Sequence, residues 1–385
     1  MNLDQFQKQT QRQRSVPKLR FPGFSDPWER RKLGDVCEIK DSARIPNSEW
    51  SESGVPYIRA SDITNENIDG VLFISQERYE FYKNRTGAPT KDDVLFNSGG
   101  EIGKSLLITD KKQIYVQGGA VLYARTSESK KLVGQYLKTY FETTNAMSYI
   151  DVASAGGTMR HFTLKPSQMM PVLIPSLNEQ EKIGEYFSYL GCLITLHQRK
   201  LGILKQYKTG VEDSLFSKIS TTKKIKDIIE ILPKTNHPAG VGQSKGVYRF
   251  YTNNSTAQLY FNTYDYNAEA IVSNTGGDAH FEYHNGKFAA SMHCMTFTSN
   301  INTKYLYYIL SYFVNRINFE GFRGNGLKCL DKSWFANFDV TVPDIDKQNE
   351  IASILSEIDM LLEKETYILN RLKLLKQGLL QQMFT

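Results

Sequence analysis

At 385 residues, 40% hydrophobic and 23% charged, the chain has room for two or three domains of ~100–200 residues each. No apolar run approaches the ~18 residues of a membrane span, and the polar segment 1–20 carries no secretory core. A cytoplasmic protein without a membrane span is therefore expected, and the scattered Cys37, Cys192, Cys294 and Cys329 argue against a disulfide framework or zinc ribbon. The net charge of +6 sits almost wholly in residues 1–32: Lys8, Arg12, Arg14, Lys18, Arg20, Arg30, Arg31 and Lys32 against Asp4, Asp26 and Glu29, eight minus three or +5. Such an arm suits a phosphate backbone. The nearly neutral remainder would need partner subunits to bind DNA tightly.

In chain order, β-branched and aromatic runs bounded by Gly, Asn and Asp predict strands at 55–63, 93–97 and 114–124. An amphipathic helix over 131–149 and a Gly-rich turn follow. Pro175 with Asn178 then opens a long helix. Further strands are expected at 247–252, 269–274 and 292–299, a helix at 304–319, and a second long helix after Pro343 and Asp346. In this last helix Ile351, Ile358, Leu372 and Leu379 recur every seven residues, and Ile354, Leu361, Ile368 and Leu375 form the other seam. The first long helix carries Ile183, Leu190, Leu204 and Val211 on one seam, with Tyr186, Leu193 and Tyr207 on the other. His197 and Glu365 stand at equivalent a positions, where a dyad would bring them close and a polar residue can fix register. Forty residues at ~1.5 Å each give rods of ~60 Å.

The chain repeats itself. Residues 172–217 align without gaps on 340–385, with identities at Val172/Val340, Pro175/Pro343, Gln180/Gln348, Ile183/Ile351, Leu193/Leu361, Leu204/Leu372, Lys208/Lys376 and Phe216/Phe384. Upstream, Gly156 and Arg160 meet Gly324 and Lys328, residues 97–100 (NSGG) meet 274–277 (NTGG), and 32–36 (KLGDV) meet 224–228 (KIKDI). Two copies of one module, the first about 24 residues longer, make repetition the organising feature. The expected fold class is α+β: two pseudo-symmetric mixed α/β domains separated by two long helices that form an antiparallel coiled coil. The expected boundaries are a basic arm at 1–24, a first domain at 25–177, a first helix at 178–219, a second domain at 220–344 and a second helix at 345–385.

Tests for chemistry come out negative. Residues 98–105 (SGGEIGKS) resemble a phosphate-binding loop, but Ser98 stands where its first glycine belongs, and LLI then TDKK follow where a helix should open. His280, His284, His293 and Cys294 match no standard zinc spacing. The chain has no adjacent prolines, no GxGxxG and no HExxH. A non-catalytic recognition or scaffold protein is the better reading.

Four segments carry a family resemblance. They are PKLRFPGF…WERRKLGDV (17–36), VLIPSLNEQEKI (172–183), KKIKDI (223–228) and VTVPDIDKQNEI (340–351). Together they resemble the specificity subunit of type I restriction-modification enzymes, with Lys347 departing from Glu179 in the second copy. The resemblance implies that each mixed domain is a target recognition domain for one half of a bipartite, asymmetric site on double-stranded DNA, with the coiled coil as a ruler. Two modification (methyltransferase) subunits and two restriction subunits would dock on the chain. S-adenosylmethionine, ATP and magnesium would belong to those partners, with no cofactor on this chain. Polar residues at strand ends and loops are the candidate DNA contacts: Arg59, Ser61, Asn97, Lys104, Gln117 and Arg160 in the first copy, and Arg249, Tyr251, Asn253, Asn274, His293, Arg323 and Lys328 in the second. The candidate coiled-coil interface comprises Ile183, Leu190, Leu193, His197, Leu204, Ile351, Ile358, Leu361, Glu365 and Leu372. The competing readings are a stand-alone DNA-binding protein and a coiled-coil scaffold with the same duplicated architecture.

Overall fold

The computed structural model describes residues 16–154, 160–217, 219–254, 258–324 and 328–384. The first fifteen residues of the basic arm, and Gly156 of the repeat, lie outside the described residues. The chain divides into two compact units, residues 1–197 with 368–385 and residues 198–367. No helix among the described residues is long and apolar enough to cross a membrane.

In the first unit the strand Glu29–Lys32 pairs antiparallel with Pro171–Ile174 and ties the domain's two ends together. A four-stranded sheet runs in the order Ile39–Asp41, Val121–Ala124, Val94–Asn97, Ser105–Leu107. Its two central strands are buried at every residue, in keeping with their apolar runs Val94–Phe96 and Val121–Ala124. The helices Gly134–Phe141 and Thr144–Ala153 pack on it through Tyr136, Leu137, Phe141 and Ile150. A second small sheet, in the order Trp50–Ser51, Phe73–Ile74, Val55–Ile58, Tyr115–Val116, and the helix Gln76–Thr86 build a satellite core around Tyr57, Tyr79 and Tyr115.

Several elements differ from the sequence expectation. The strand expected over 55–63 stops at Ile58, and the helix Ala60–Thr64 follows. Asp62 Oδ2 accepts from the Arg59 backbone N–H at 2.9 Å, the N3-carboxylate half of a capping box, which satisfies one free amide at the helix start. The run 114–124 is broken by a turn with Gly119 at φ +76°. The helix over 131–149 is two helices, because Thr143 caps the second by accepting from Ala146 N.

The second unit holds one six-stranded sheet, in the order Ile229–Ile231, Cys294–Ser299, Tyr266–Asn274, Phe281–Ala290, Tyr248–Tyr251, Leu259–Phe261. The pairing of Tyr248–Tyr251 with Phe281–Ala290 is parallel. Helices Thr303–Tyr312, Val314–Gly321 and Lys332–Ala336 close one face over Ile271, Phe281, Met295 and Phe297. The ten-residue strand Phe281–Ala290 escapes the sequence reading because its middle, EYHNGK, is polar.

Backbone bonds repeat between the copies. Leu33 N donates to Met170 O and Ile225 N to Phe338 O. Gln180, with no exposed surface, accepts from Val133 N at 2.9 Å and donates to Lys131 O and Pro175 O. Gln348 accepts from Asn302 N at 2.9 Å and donates to Pro343 O. Each glutamine therefore fixes where its long helix leaves its domain.

The long helices are Leu177–Phe216 and Ile345–Met383. Within the first unit their segments run antiparallel. Phe187 meets Phe384, and Gly191 lies beside the Lys376 ammonium. Within the second unit they do so again: Lys200 pairs with Glu365 at 2.9 Å and Lys208 with Asp359 at 2.6 Å. Among the interface candidates, Ile183, Leu190, Ile351 and Ile358 are buried, while Leu193, His197, Leu204 and Leu372 are half-buried. Glu365 is 2% exposed, whereas Leu361 is 52% exposed. The heptad holds, but its second seam lies four residues after the first, at Leu355, Leu362 and Leu369, which are buried or half-buried. Residues +3 and +4 both flank an apolar stripe at ~3.6 residues per turn. Asp359, bonded to both Tyr308 Oη and Lys208 Nζ, turns the +4 side toward the domain and the partner segment.

Part of the expected basic arm is folded structure. Arg20 makes two bonds to the Glu179 carboxylate, at 2.9 and 2.7 Å, and Trp28 Nε1 makes a third at 3.1 Å. This guanidinium is committed to a nearly buried carboxylate. Leu19 N donates to Gln382 O, so residues 19–28 strap the beginning of one long helix to the end of the other. Phe384 sits among Trp28, Tyr136, Tyr140 and Phe187. Its counterpart Phe216 sits between Tyr305 and Tyr312 of the second unit.

Candidate nucleic-acid interface

In the first unit the expected contacts gather at one glycine loop. Strand Val94–Asn97 turns through 98–104 into Ser105–Leu107 as a hairpin, with Asn97 N donating to Lys104 O and Gly100 and Gly103 at φ +67° and +82°. The stretch after Ser105 is a strand, so the loop does not open the helix that phosphate-loop chemistry requires. Three other segments meet the loop. Ser98 N donates to Ala120 O in the turn that follows Gln117, Phe162 N donates to Ser98 O at 2.8 Å, and Asn97 Nδ2 reaches Ala60 O at 3.0 Å. Ser61, Lys104 and Arg160 are exposed, and Arg59 and Gln117 half-exposed. Gly100, Ile102, Asp151, Arg160 and His161 line an open cleft beside the loop.

The second unit reproduces this scaffold. Strand Tyr266–Asn274 leads into a loop with Gly277 at φ +89°. Thr275 N donates to His293 O, Leu330 N to Thr275 O at 3.0 Å, and Gly277 N to Lys328 O. Arg323 pairs antiparallel with Cys329. His293, Arg323 and Lys328 are exposed around this loop.

Three candidates are placed differently from the expectation. Asn97 and Asn274 are 0% and 1% exposed. Asn274 Nδ2 donates to Gly276 O and Asp278 O, and its Oδ1 accepts from His280 N. Asn274 thus shapes its loop from inside, whereas Asn97 Nδ2 donates to Ala60 O and Thr64 Oγ1 and ties its strand end to the helix Ala60–Thr64. Tyr251 is buried on the sheet with its Oη 2.9 Å from His284 Nδ1. Burial, with Glu282 nearby, pushes the Tyr251 phenol up to about 12, while burial lowers His284. The bond therefore joins two uncharged rings. Arg249 lies over the Tyr251 ring and 3.6 Å from Glu282. Tyr251 O accepts from Ser291 N in the turn beside His293. Asn253 is exposed.

The exposed cations are lightly held. Arg160 pairs with Asp151 at 2.9 Å and Lys328 with Asp278 at 3.7 Å, all four side chains being at least half exposed. Exposed pairs contribute ~0–1 kcal/mol, so phosphate can displace either carboxylate.

Comparison with known proteins adds a family. The model of the type I restriction modification DNA specificity domain matches the chain twice, over residues 25–206 and 218–374. A Methanocaldococcus jannaschii protein described as the MjaX type I restriction enzyme specificity subunit is 22% identical over 91% of this chain and 91% of its own length. A Haemophilus influenzae protein described as a type I restriction enzyme specificity subunit is 26% identical over 40% of this chain and 37% of its own. Among solved structures, the S subunit of the type I restriction-modification system from M. genitalium matches with a TM-score of 0.72 at 14% identity, covering 96% of this chain and 99% of that one. A chain from a type I restriction-modification assembly matches at 0.51 and 13% identity, covering 95% and 99%. These two matches bear on the fold.

Proposed function

Since the chain belongs to the type I restriction-modification DNA specificity family, whose members are non-catalytic, we propose that it reads a bipartite, asymmetric sequence on double-stranded DNA and docks the subunits that methylate and cleave it. Residues 25–177 and 220–344 are the two reading domains, and 178–219 and 345–385 are the spacer helices that set the gap between half-sites. Two modification subunits and two restriction subunits supply the S-adenosylmethionine, ATP and magnesium chemistry.

The observation that carries this reading is the duplicated loop scaffold. The same backbone bonds, Phe162 N to Ser98 O and Leu330 N to Thr275 O, present different side chains in the two units. One frame with two faces suits two unlike half-sites. Exposed Lys104, Arg160, Arg323 and Lys328 position the phosphates, and side chains between them meet base edges.

The test is to insert four residues after Thr195, ~6 Å of helix, and to map methylated adenines in a host carrying the modification subunit. The two half-site sequences should persist with an altered gap. An unchanged gap would remove the ruler.

A further inference from the structure

The loop scaffold singles out one more position in each unit, outside the candidates read from the sequence. We propose that His161 and Cys329 are specificity-determining residues, each meeting a base edge in the half-site of its own unit; this rests on the DNA-reading function above. The two are structural equivalents. Each precedes a buried anchor, Phe162 or Leu330, whose N–H donates to the first loop carbonyl. Each follows an exposed cation, Arg160 or Lys328. Side chains alternate along extended backbone, so the inward anchor turns its predecessor outward, and both residues are exposed.

Each also lies against the first glycine of its loop. A Cβ at Gly99 would come within 3.1 Å of His161 Cε1, and Gly276 forms a backbone bridge with Cys329. In the first unit the imidazole therefore rests on the loop backbone, and in the second the contact is backbone to backbone. The chemistry then diverges on this common frame. An imidazole can donate to or accept from the major-groove edge of a purine. A thiol is small and only weakly polar, which suits a thymine methyl. The neighbouring Arg160 and Lys328 would hold the adjacent phosphate and bring each side chain to the base.

The experiment uses the chain assembled with its modification subunits and a randomised DNA library, reading methylated sites by sequencing. His161→Ala should relax one base position in one half-site, with methylation of the original site falling about tenfold, the loss of a single base contact. The other half-site should stay unchanged, which certifies folding and assembly. Cys329→Ala should relax the opposite half-site. Separately, alkylation of Cys329 by N-ethylmaleimide should slow with specific DNA but not with unrelated DNA. An unchanged motif at an unchanged rate in both variants would overturn the proposal. Absence of any two-part motif with the unsubstituted chain would instead overturn the DNA-reading function first, and this inference with it.

Discussion

Replacing Gln180 with leucine keeps the side-chain bulk and removes three hydrogen bonds at a residue with no exposed surface. The Val133 N–H and the carbonyls of Lys131 and Pro175 then lose that partner inside the domain. A stranded buried group costs about 1–3 kcal/mol. The amide has no alternative, whereas each carbonyl keeps a second lone pair, so a total of about 3–4 kcal/mol is expected on that scale. Gln348→Leu strands one amide and one carbonyl, Asn302 N–H and Pro343 O, and should cost about 2–3 kcal/mol. Urea unfolding gives the totals, and hydrogen exchange locates them. The Val133 amide should lose protection in the first variant and the Asn302 amide in the second. A loss below about 1 kcal/mol in Gln180→Leu, or a Val133 amide as protected as before, would refute the view that this glutamine fixes the helix exit.

Two further outcomes follow from the charges. Burial raises the pKa of Glu212, with Lys208 opposing and Asp359 and Asp213 reinforcing the shift. Below the ordinary glutamate value, about 4.3, it is protonated folded or unfolded, and its contribution to stability is complete. As pH rises the unfolded chain ionises first, so that contribution falls until the raised folded value is passed. Glu212→Gln should flatten this part of the stability profile, and identical slopes of denaturation midpoint against pH in both proteins would count against the assignment. Lys104→Ala and Arg160→Ala should weaken DNA binding by the assembled complex evenly across sequences, each reducing the slope of log K against log salt by about 0.9; an unaltered slope would place these side chains off the phosphates.

The repeat was legible because positions that fix backbone cannot vary in chemistry. Pro175/Pro343, Gln180/Gln348 and Ile183/Ile351 recur as the same residues, since each unit needs the same helix exit. That logic also explains a misplacement. Asn97 and Asn274 stand out by being alike, yet residues alike in both copies cannot distinguish two half-sites, and both are buried. His161 and Cys329 left no mark in the sequence because they differ. The heptad period was readable but not its phase. Choosing Leu361 over Leu362 depends on where Asp359 meets Tyr308 and Lys208, contacts made between distant parts of the chain. The strand Phe281–Ala290 was hidden by a half-exposed polar middle, and the helix Ala60–Thr64 by its short length.

The first unit is made from two stretches of chain separated by the whole of the second, residues 198–367. Synthesis therefore completes the later unit before the earlier one. At ~5–20 residues per second, the aromatic slot formed by Trp28, Tyr136 and Phe187 stands empty for roughly ten to forty seconds until Phe384 emerges. A ribosome that stalls in that interval holds a nascent chain with one finished domain and one open apolar socket, which is the kind of surface that chaperones and proteases engage.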